Sequence, residues 1–217
     1  RLERSGLLSF PLHYRRAPEN PFPAALDDAL AAYRQLLALG TPPESIVFGG
    51  DSAGGGLALA TLVALRDRGE PLPAGAILFS PWTDLAGTGD TMRSNDGRDP
   101  MFAAAALPKA AKLYLGDAPA THPYASPLHA DFAGLPPLYI QVGSTEVLLD
   151  DSRRVADKAK AAGVQVEIEV WPDMPHVWQL YAPMVTEARD ALDRAAAFVR
   201  RVAVARAVQR AGEASIV

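Results

Sequence analysis

The stretch "SIVFGGDSAGGGLALATLVALRD", residues 45–67, joins a short apolar run to a segment with helical spacing through a turn rich in glycine. The apolar run is typical of a buried strand, and residues 53–68 predict a helix. Ser52 lies between the two, where the chain must reverse sharply. Such a turn holds its serine in a strained backbone conformation and exposes the hydroxyl at a helix N-terminus, where free N–H groups favour negative charge.

The pentapeptide Gly50–Gly54 fits the pattern G-x-S-x-G, which indicates a nucleophilic serine. We expect glycine two residues before and two residues after Ser52, because side chains there would collide with the neighbouring elements. The backbone N–H of Ala53 is then placed to donate to an oxyanion. A phosphate-binding turn is disfavoured, because neither G-x-x-x-x-G-K nor G-x-G-x-x-G is present. A capping serine without a chemical role is the alternative.

Apolar runs alternate with helical patterns along the chain. The predicted strands are 6–14, 45–50, 74–82, 138–144 and 164–171, and the predicted helices are 22–39, 53–68, 101–115, 151–162 and 188–206. The strands are apolar on both faces, as expected for a parallel sheet with helices on each side. The sequence therefore predicts an α/β fold whose reactive residues gather at the carboxyl ends of the strands.

Charge and composition exclude several kinds of partner. A net charge of −4, with no run of Lys or Arg, argues against nucleic acid or an anionic membrane. The chain has no cysteine, which excludes disulfides, thiolate metal sites and a cysteine nucleophile. No apolar stretch reaches the length of a membrane span. We expect a cytoplasmic protein, but because the chain begins with Arg1, a signal peptide stays an open alternative.

A serine nucleophile needs a base, and the base needs a carboxylate that fixes its tautomer. In folds of this type the chain order is serine, acid, histidine. His176 follows the last predicted strand, whereas His13 precedes the serine, and His122 and His129 fall in a proline-rich loop. Order and position therefore predict His176 as the base.

The acid lies in "QVGSTEVLLDD", at the end of the fourth predicted strand. Glu146 is three residues past Gly143 and is the predicted acid. Asp150 is the main alternative, although we expect both Asp150 and Asp151 to cap the N–H groups of the following helix. Asp84 also follows a strand, but one strand too early.

These residues resemble the bacterial hormone-sensitive-lipase-like esterases, an α/β-hydrolase family. The resemblance covers nearly the whole chain through the ordered blocks "YRRAPENPFPAALDDA", "GDSAGGGLA", "SPWTDL", "DPM", "ASPLHADFAGLPPLYIQVGSTEVLLDDS" and "MPHVW". It implies Ser52 as nucleophile, His176 as base and Glu146 as acid, since a subgroup with an "E-V/T-L-L-D-D" block has Glu where most members have Asp. The implied substrates are carboxylic esters with short or medium acyl chains, and no cofactor is implied.

The chain also departs from the family. Arg16 and Asn20 stand where Leu and His are usual. The H-G-G-G motif that supplies further oxyanion donors, and the helical cap before it, are absent. We therefore expect residues 1–217 to be the C-terminal part of a single α/β-hydrolase domain that lacks the N-terminal strands and cap. As a piece of a longer protein, it would be weak or inactive.

Two functional alternatives stay open at this point: an acyltransferase or amidase with the same triad, and a catalytically silent ligand-binding fragment. The last strand, residues 164–172, alternates without protecting lysines and should lie at the sheet edge. Because related esterases often dimerise through this edge, a homodimer is predicted. Five apolar residues either line the substrate pocket or belong to the core: Trp82, Met101, Phe102, Val177 and Trp178.

Overall fold

Four parallel strands form the sheet of the computed structural model, which describes the backbone of residues 8–214 and the side chains of residues 8–203. The strands lie side by side in chain order as β1 (Val47–Asp51), β2 (Gly75–Phe79), β3 (Leu138–Gly143) and β4 (Val166–Trp171). All three pairings are parallel, so the carboxyl ends of the four strands share one edge of the sheet. The four connections that follow the strands all leave from this edge.

Helices cover both faces of the sheet, which confirms the predicted α/β architecture. They are α1 (Ala24–Ala38), α2 (Ala53–Asp67), α3 (Thr91–Ser94), α4 (Leu107–Leu115), α5 (Leu149–Ala161) and α6 (Thr186–Ala214). Because side chains alternate along a strand, Leu78 and Ile140 pack with α2 and α5, whereas Ile77 and Tyr139 pack with α6. Helix α1 packs on the outer side of α2.

The predicted strand at residues 6–14 is wrong over the part that the structure describes. Residues 8–14 form no strand, and the side chains of Leu8 and Phe10 are 86% and 70% exposed. Within the described residues, β1 pairs with β2 alone. An extended segment without a neighbouring strand leaves its N–H and C=O groups to water, so it gains nothing from strand geometry. Residues 6 and 7 lie outside the described part.

The predicted helix at 101–115 is shorter than expected. The carboxylate of Asp99 accepts the backbone N–H groups of Met101 (2.8 Å) and Phe102 (3.2 Å), which holds these residues in a loop. One 3₁₀ turn, Ala104–Ala106, follows, and α4 begins only at Leu107. Pro108 in its first turn suits a helix start, because no N–H is needed there.

Strand β4 lies at the edge of the sheet, as predicted, and in the described part of the chain its ladder has β3 as its one partner. Val170 on this strand is 38% exposed. Dimerisation through this edge stays a prediction. The helices in the described residues include none with the length and apolar character that a membrane crossing requires.

Candidate active site

The turn between β1 and α2 places Ser52 at its apex. Ser52 has φ 53° and ψ −122°, so the predicted backbone strain is confirmed, and its side chain is half-buried. Ala53 is the first residue of α2, so its N–H has no acceptor within the helix. The turn therefore offers a hydroxyl beside a free backbone donor, which is the arrangement that an attacking serine and its oxyanion need.

The structure requires glycine before Ser52, as predicted, but not two residues after it. A Cβ atom at Gly50 would overlap the carbonyl oxygen of Gly54, as expected. A Cβ atom at Gly54 would find nothing closer than the Tyr14 hydroxyl at 4.0 Å, so the collision expected there is wrong. The tightly packed glycine is instead Gly56, where a Cβ would overlap the carbonyl oxygen of Trp82.

Glu146 and His176 form a buried pair. Glu146 Oε2 lies 2.7 Å from His176 Nδ1, and the two residues are 0% and 2% exposed. An ionised carboxylate can only accept, so Nδ1 carries the proton in this pair, and Nε2 of the neutral ring is left as an acceptor. Nε2 is buried and has no hydrogen-bond partner among the described residues. The ring is therefore oriented and has a free lone pair, as a general base requires.

The loops after β3 and β4 are fastened to one another, which brings Glu146 to His176. Ser144 N–H donates to Trp171 O at 2.9 Å, and the Thr145 hydroxyl donates to Met174 O at 3.0 Å. A Cβ atom at Gly143 would overlap the carbonyl oxygen of Met174, so the close approach of these two loops requires glycine there.

The nucleophile side and the acid–base side meet at the residues that follow β2. Ser52 N–H donates to Phe79 O at 2.8 Å, and Trp82 N–H donates to Ser52 O at 2.9 Å. Ser80, between those two residues, has its hydroxyl 2.7 Å from Glu146 Oε1. His176 and Ser52 do not share a hydrogen bond in this structure, since Nε2 is unpaired. Catalytic hydrogen bonds are often long without substrate and tighten when it binds.

Sequence reasoning missed three residues that hold Glu146. The Ser80 hydroxyl contacts its carboxylate, the Asn95 side-chain amide donates to its backbone oxygen at 2.8 Å, and Asp99 accepts the N–H of Val147 at 3.0 Å. For Ser80 a signal existed, because it follows a buried strand directly, as Ser52 does. Asp99 lies in the quoted block "DPM", whereas Asn95 lies in none of the quoted blocks.

The rival acids are held by other partners. Asp84 contacts His129 Nε2 and Arg154 Nη1, each at 3.0 Å, and accepts from the Thr88 hydroxyl. Burial would raise the pKa of Asp84, but the hydrogen bonds from Thr88, His129 and Arg154 outweigh it and lower the pKa to about 2. Asp150 accepts the N–H of Thr91 at 3.0 Å. Within the described residues, neither carboxylate forms a hydrogen bond with His176, whose Nδ1 bonds to Glu146.

The expected capping role of Asp150 and Asp151 is wrong, because their carboxylates accept N–H groups of the loop after β2, and the N–H of Asp150 donates to the Thr91 hydroxyl at 3.0 Å. Asp151 Oδ2 instead accepts the N–H groups of Thr83 at 2.7 Å and Asp84 at 2.8 Å. Burial raises the pKa of Asp151 to about 7, although those two N–H groups oppose the shift. Asp150 and Asp151 thus hold the long loop after β2 against α5.

An apolar cavity of about 210 Å³ opens beside Ala53. Its lining includes Tyr14, Leu57, Trp82, Leu85 and Tyr114, and it includes neither Ser52 nor His176. Of the apolar candidates, Trp82 therefore lines a cavity, whereas Phe102 places its ring edge-on to His176, with ring centres 4.9 Å apart. Trp178 is 1% exposed and packs against Trp171, so it belongs to the core.

Comparison with known proteins identifies the family of this fold. A family model described as alpha/beta hydrolase fold matches residues 3–180. The chain belongs to this family. Its resemblance to the bacterial hormone-sensitive-lipase-like esterases is also confirmed: a solved esterase of the bacterial hormone-sensitive lipase family is 52% identical with a TM-score of 0.87 over 88% of this chain and 64% of that one. A hormone-sensitive lipase from a metagenome library is 41% identical with a TM-score of 0.89 over 92% and 69%.

Curated relatives carry names of the same kind. An "Acetyl-hydrolase" of Streptomyces hygroscopicus is 50% identical over 91% of this α/β-hydrolase chain and 66% of its own length. An "Esterase" of Acinetobacter venetianus is 40% identical over 85% of this chain and 61% of its own length. The chain thus spans somewhat less than two thirds of these relatives.

Proposed function

We propose that this chain carries the catalytic triad of a carboxylic ester hydrolase that acts on short- to medium-chain acyl esters, with Ser52, Glu146 and His176 in the three roles. The observation that carries the proposal is the buried Glu146–His176 hydrogen bond of 2.7 Å, which leaves His176 Nε2 without a partner among the described residues. The strained turn at Ser52 and the names of the relatives support it.

The proposed reaction begins with proton transfer. His176 Nε2 takes the hydroxyl proton of Ser52 while Oγ attacks the ester carbonyl. The negative charge that forms on the carbonyl oxygen accepts a hydrogen bond from the N–H of Ala53, at the positive end of α2. The imidazolium then returns the proton to the leaving alkoxide, so the alcohol departs and Ser52 keeps the acyl group.

The second half of the reaction repeats the first with water. His176 removes a proton from water, whose oxygen attacks the acyl-enzyme, and the acid leaves as the proton returns to Ser52. Glu146 keeps the Nδ1 proton in place and stabilises the imidazolium that forms in both halves. Residues 1–217 serve here as the C-terminal part of one α/β-hydrolase domain.

Labelling with a fluorophosphonate tests this proposal, because the probe phosphonylates a serine only when a base activates it. We expect labelling of the chain at Ser52, slow because the sequence contains no H-G-G-G donors, and its loss in Ser52→Ala and His176→Ala. Ser45→Ala is the matched control, since the Ser45 hydroxyl bonds only locally to Pro42 O, and it should label normally. No labelling of the wild-type chain, or labelling that survives in Ser52→Ala, would favour a silent ligand-binding role.

We also propose that the chain forms a homodimer through the exposed edge of β4, the last strand, by pairing with a second copy. Among the strands that the structure describes, β4 pairs with β3 alone, and residues Val166–Trp171 contain no lysine to block the other side. Analytical ultracentrifugation at micromolar concentration should show a dimer, and a monomer alone would contradict this proposal.

A further inference from the structure

Ser80 stands directly after β2 in an unusual conformation. It has φ 46°, although it is not glycine, and it is 0% exposed. Positive φ is uncommon for residues with a side chain and persists where the surroundings demand it. A buried serine in this conformation therefore indicates that its hydroxyl is needed where it is.

The Ser80 hydroxyl bonds to the Glu146 carboxylate and to the backbone of Val177, the residue after His176. It lies 2.7 Å from Glu146 Oε1 and 3.2 Å from the backbone N of Val177. The N–H of Val177 can only donate and an ionised carboxylate can only accept, so the hydroxyl accepts from Val177 and donates to Glu146. One oxygen atom thus joins the carboxylate to the residue that follows His176.

This bond controls which carboxylate oxygen faces the histidine. Glu146 Oε1 accepts from Ser80 and also from the N–H of Gly143 at 2.5 Å, which leaves Oε2 to His176 Nδ1. With two donors on Oε1, the carboxylate cannot rotate without breaking both bonds. The Val177 bond fixes the other side, where the chain passes through left-handed backbone with φ 51°.

We propose that Ser80 is a positioning residue of this active site: its hydroxyl fixes the Glu146 carboxylate and the backbone beside His176, so that the imidazole keeps its proton on Nδ1 and presents Nε2. The hydroxyl acts through Glu146 and does not touch substrate. The catalytic consequence rests on the proposed function, whereas the control of the tautomer does not.

The direct readout is the tautomer of His176, which long-range ¹H–¹⁵N correlation spectra of the imidazole rings report at a pH where they are neutral. The His176 signals are assigned by their disappearance in His176→Gln. Two variants delete the hydroxyl: Ser80→Ala keeps the backbone strain, and Ser80→Gly relieves it, so the second folds even where strain makes the first unstable. Thr61→Val is the matched control, because it deletes a buried hydroxyl that donates to Leu57 O, away from the site.

We expect the Nδ1–H form of His176 in the wild-type chain and in Thr61→Val, and a substantial shift towards the Nε2–H form in both Ser80 variants. The rate of fluorophosphonate labelling at Ser52 should fall about tenfold in both Ser80 variants, as for the loss of about 1.4 kcal/mol. If the role of Ser80 were purely structural, the labelling rates of Ser80→Gly and Ser80→Ala would instead follow their melting temperatures, and Ser80→Gly would label faster.

Three results would overturn the proposal: an unchanged Nδ1–H form in a folded Ser80 variant, the same shift in Thr61→Val, or a wild-type chain without the Nδ1–H form. Failure of the proposed function has a different signature. In that case Ser52 is not labelled in any variant, while the tautomer of His176 still responds to the Ser80 hydroxyl.

Discussion

The two sides of the candidate site are built in different ways. The turn at Ser52 is made by backbone: a positive φ, a glycine that cannot be replaced, and a first helical N–H. The Glu146–His176 pair is made by side chains that are buried and joined to the connection after β2, which comes from another part of the chain. The nucleophile side is half-exposed, whereas the acid–base side is closed to water.

This difference separates local from long-range construction. The Ser52 turn lies within one strand–turn–helix unit, so a short pattern of residues specifies it. The acid–base pair depends on the register of β2, β3 and β4, because each loop that contributes to it leaves from a different strand. Substitutions on the first side should therefore act through backbone fit, and those on the second side through hydrogen bonding.

The largest expected effect concerns the acid. Glu146→Gln keeps the shape of the side chain but removes the charge that holds the Nδ1 proton and stabilises imidazolium, so labelling of Ser52 should slow about a thousandfold. The melting temperature should change little by comparison. Asp150→Asn is the matched control, because Asp150 is the rival acid and bonds to Thr91 instead. A larger loss in Asp150→Asn than in Glu146→Gln would reassign the acid.

The next effect tests the backbone side. Gly50→Ala forces a Cβ into the carbonyl oxygen of Gly54, which should destabilise the fold by about 3 kcal/mol and abolish labelling. Gly54→Ala places its Cβ in open space within α2 and should change stability by less than about 1 kcal/mol, towards greater stability. Urea unfolding of both variants measures the contrast. Equal losses of unfolding free energy in the two variants would mean that the turn can make room for a Cβ atom at Gly50.

The last effect is a pH dependence of stability at the loop after β2. The pKa of Asp151 is raised to about 7 in the folded state from an unfolded value near 3.8, so protonation favours the fold. Its contribution to stability is fully present below the unfolded value and is lost as the pH rises from that value towards 7. Asp151→Asn keeps an acceptor for Thr83 and Asp84 without this dependence.

Thermal melts of the wild-type chain and Asp151→Asn at pH 5 and pH 8 measure this effect. The wild-type melting temperature should fall between the two values relative to the variant. Parallel behaviour of the two proteins would show that the Asp151 carboxylate is ionised throughout, stabilised by its two backbone donors.

The periodicity of apolar residues was enough to predict most of the strands and helices. The apolar runs at β1 to β4 and the helical spacing of α1, α2 and α5 are properties of neighbouring residues, and each was predicted within a few positions. The prediction of a strand at 6–14 failed over residues 8–14, because an apolar alternation becomes a strand only beside another strand. The late start of α4 depends on Asp99, whose bonds to Met101 and Phe102 compete with the helix.

By itself, the sequence determined the turn at Ser52 and the order of the proposed serine, acid and histidine. The turn depends on neighbouring residues alone, and the order can be read directly from the chain. Only the tertiary structure decided which carboxylates bind which donors. Ser80 and Glu146 are 66 residues apart, and Asp151 reaches Thr83 across 68, so these bonds exist only once the strands are in register. Hydrogen bonds are short and directional, and no pattern of neighbouring residues encodes such a meeting.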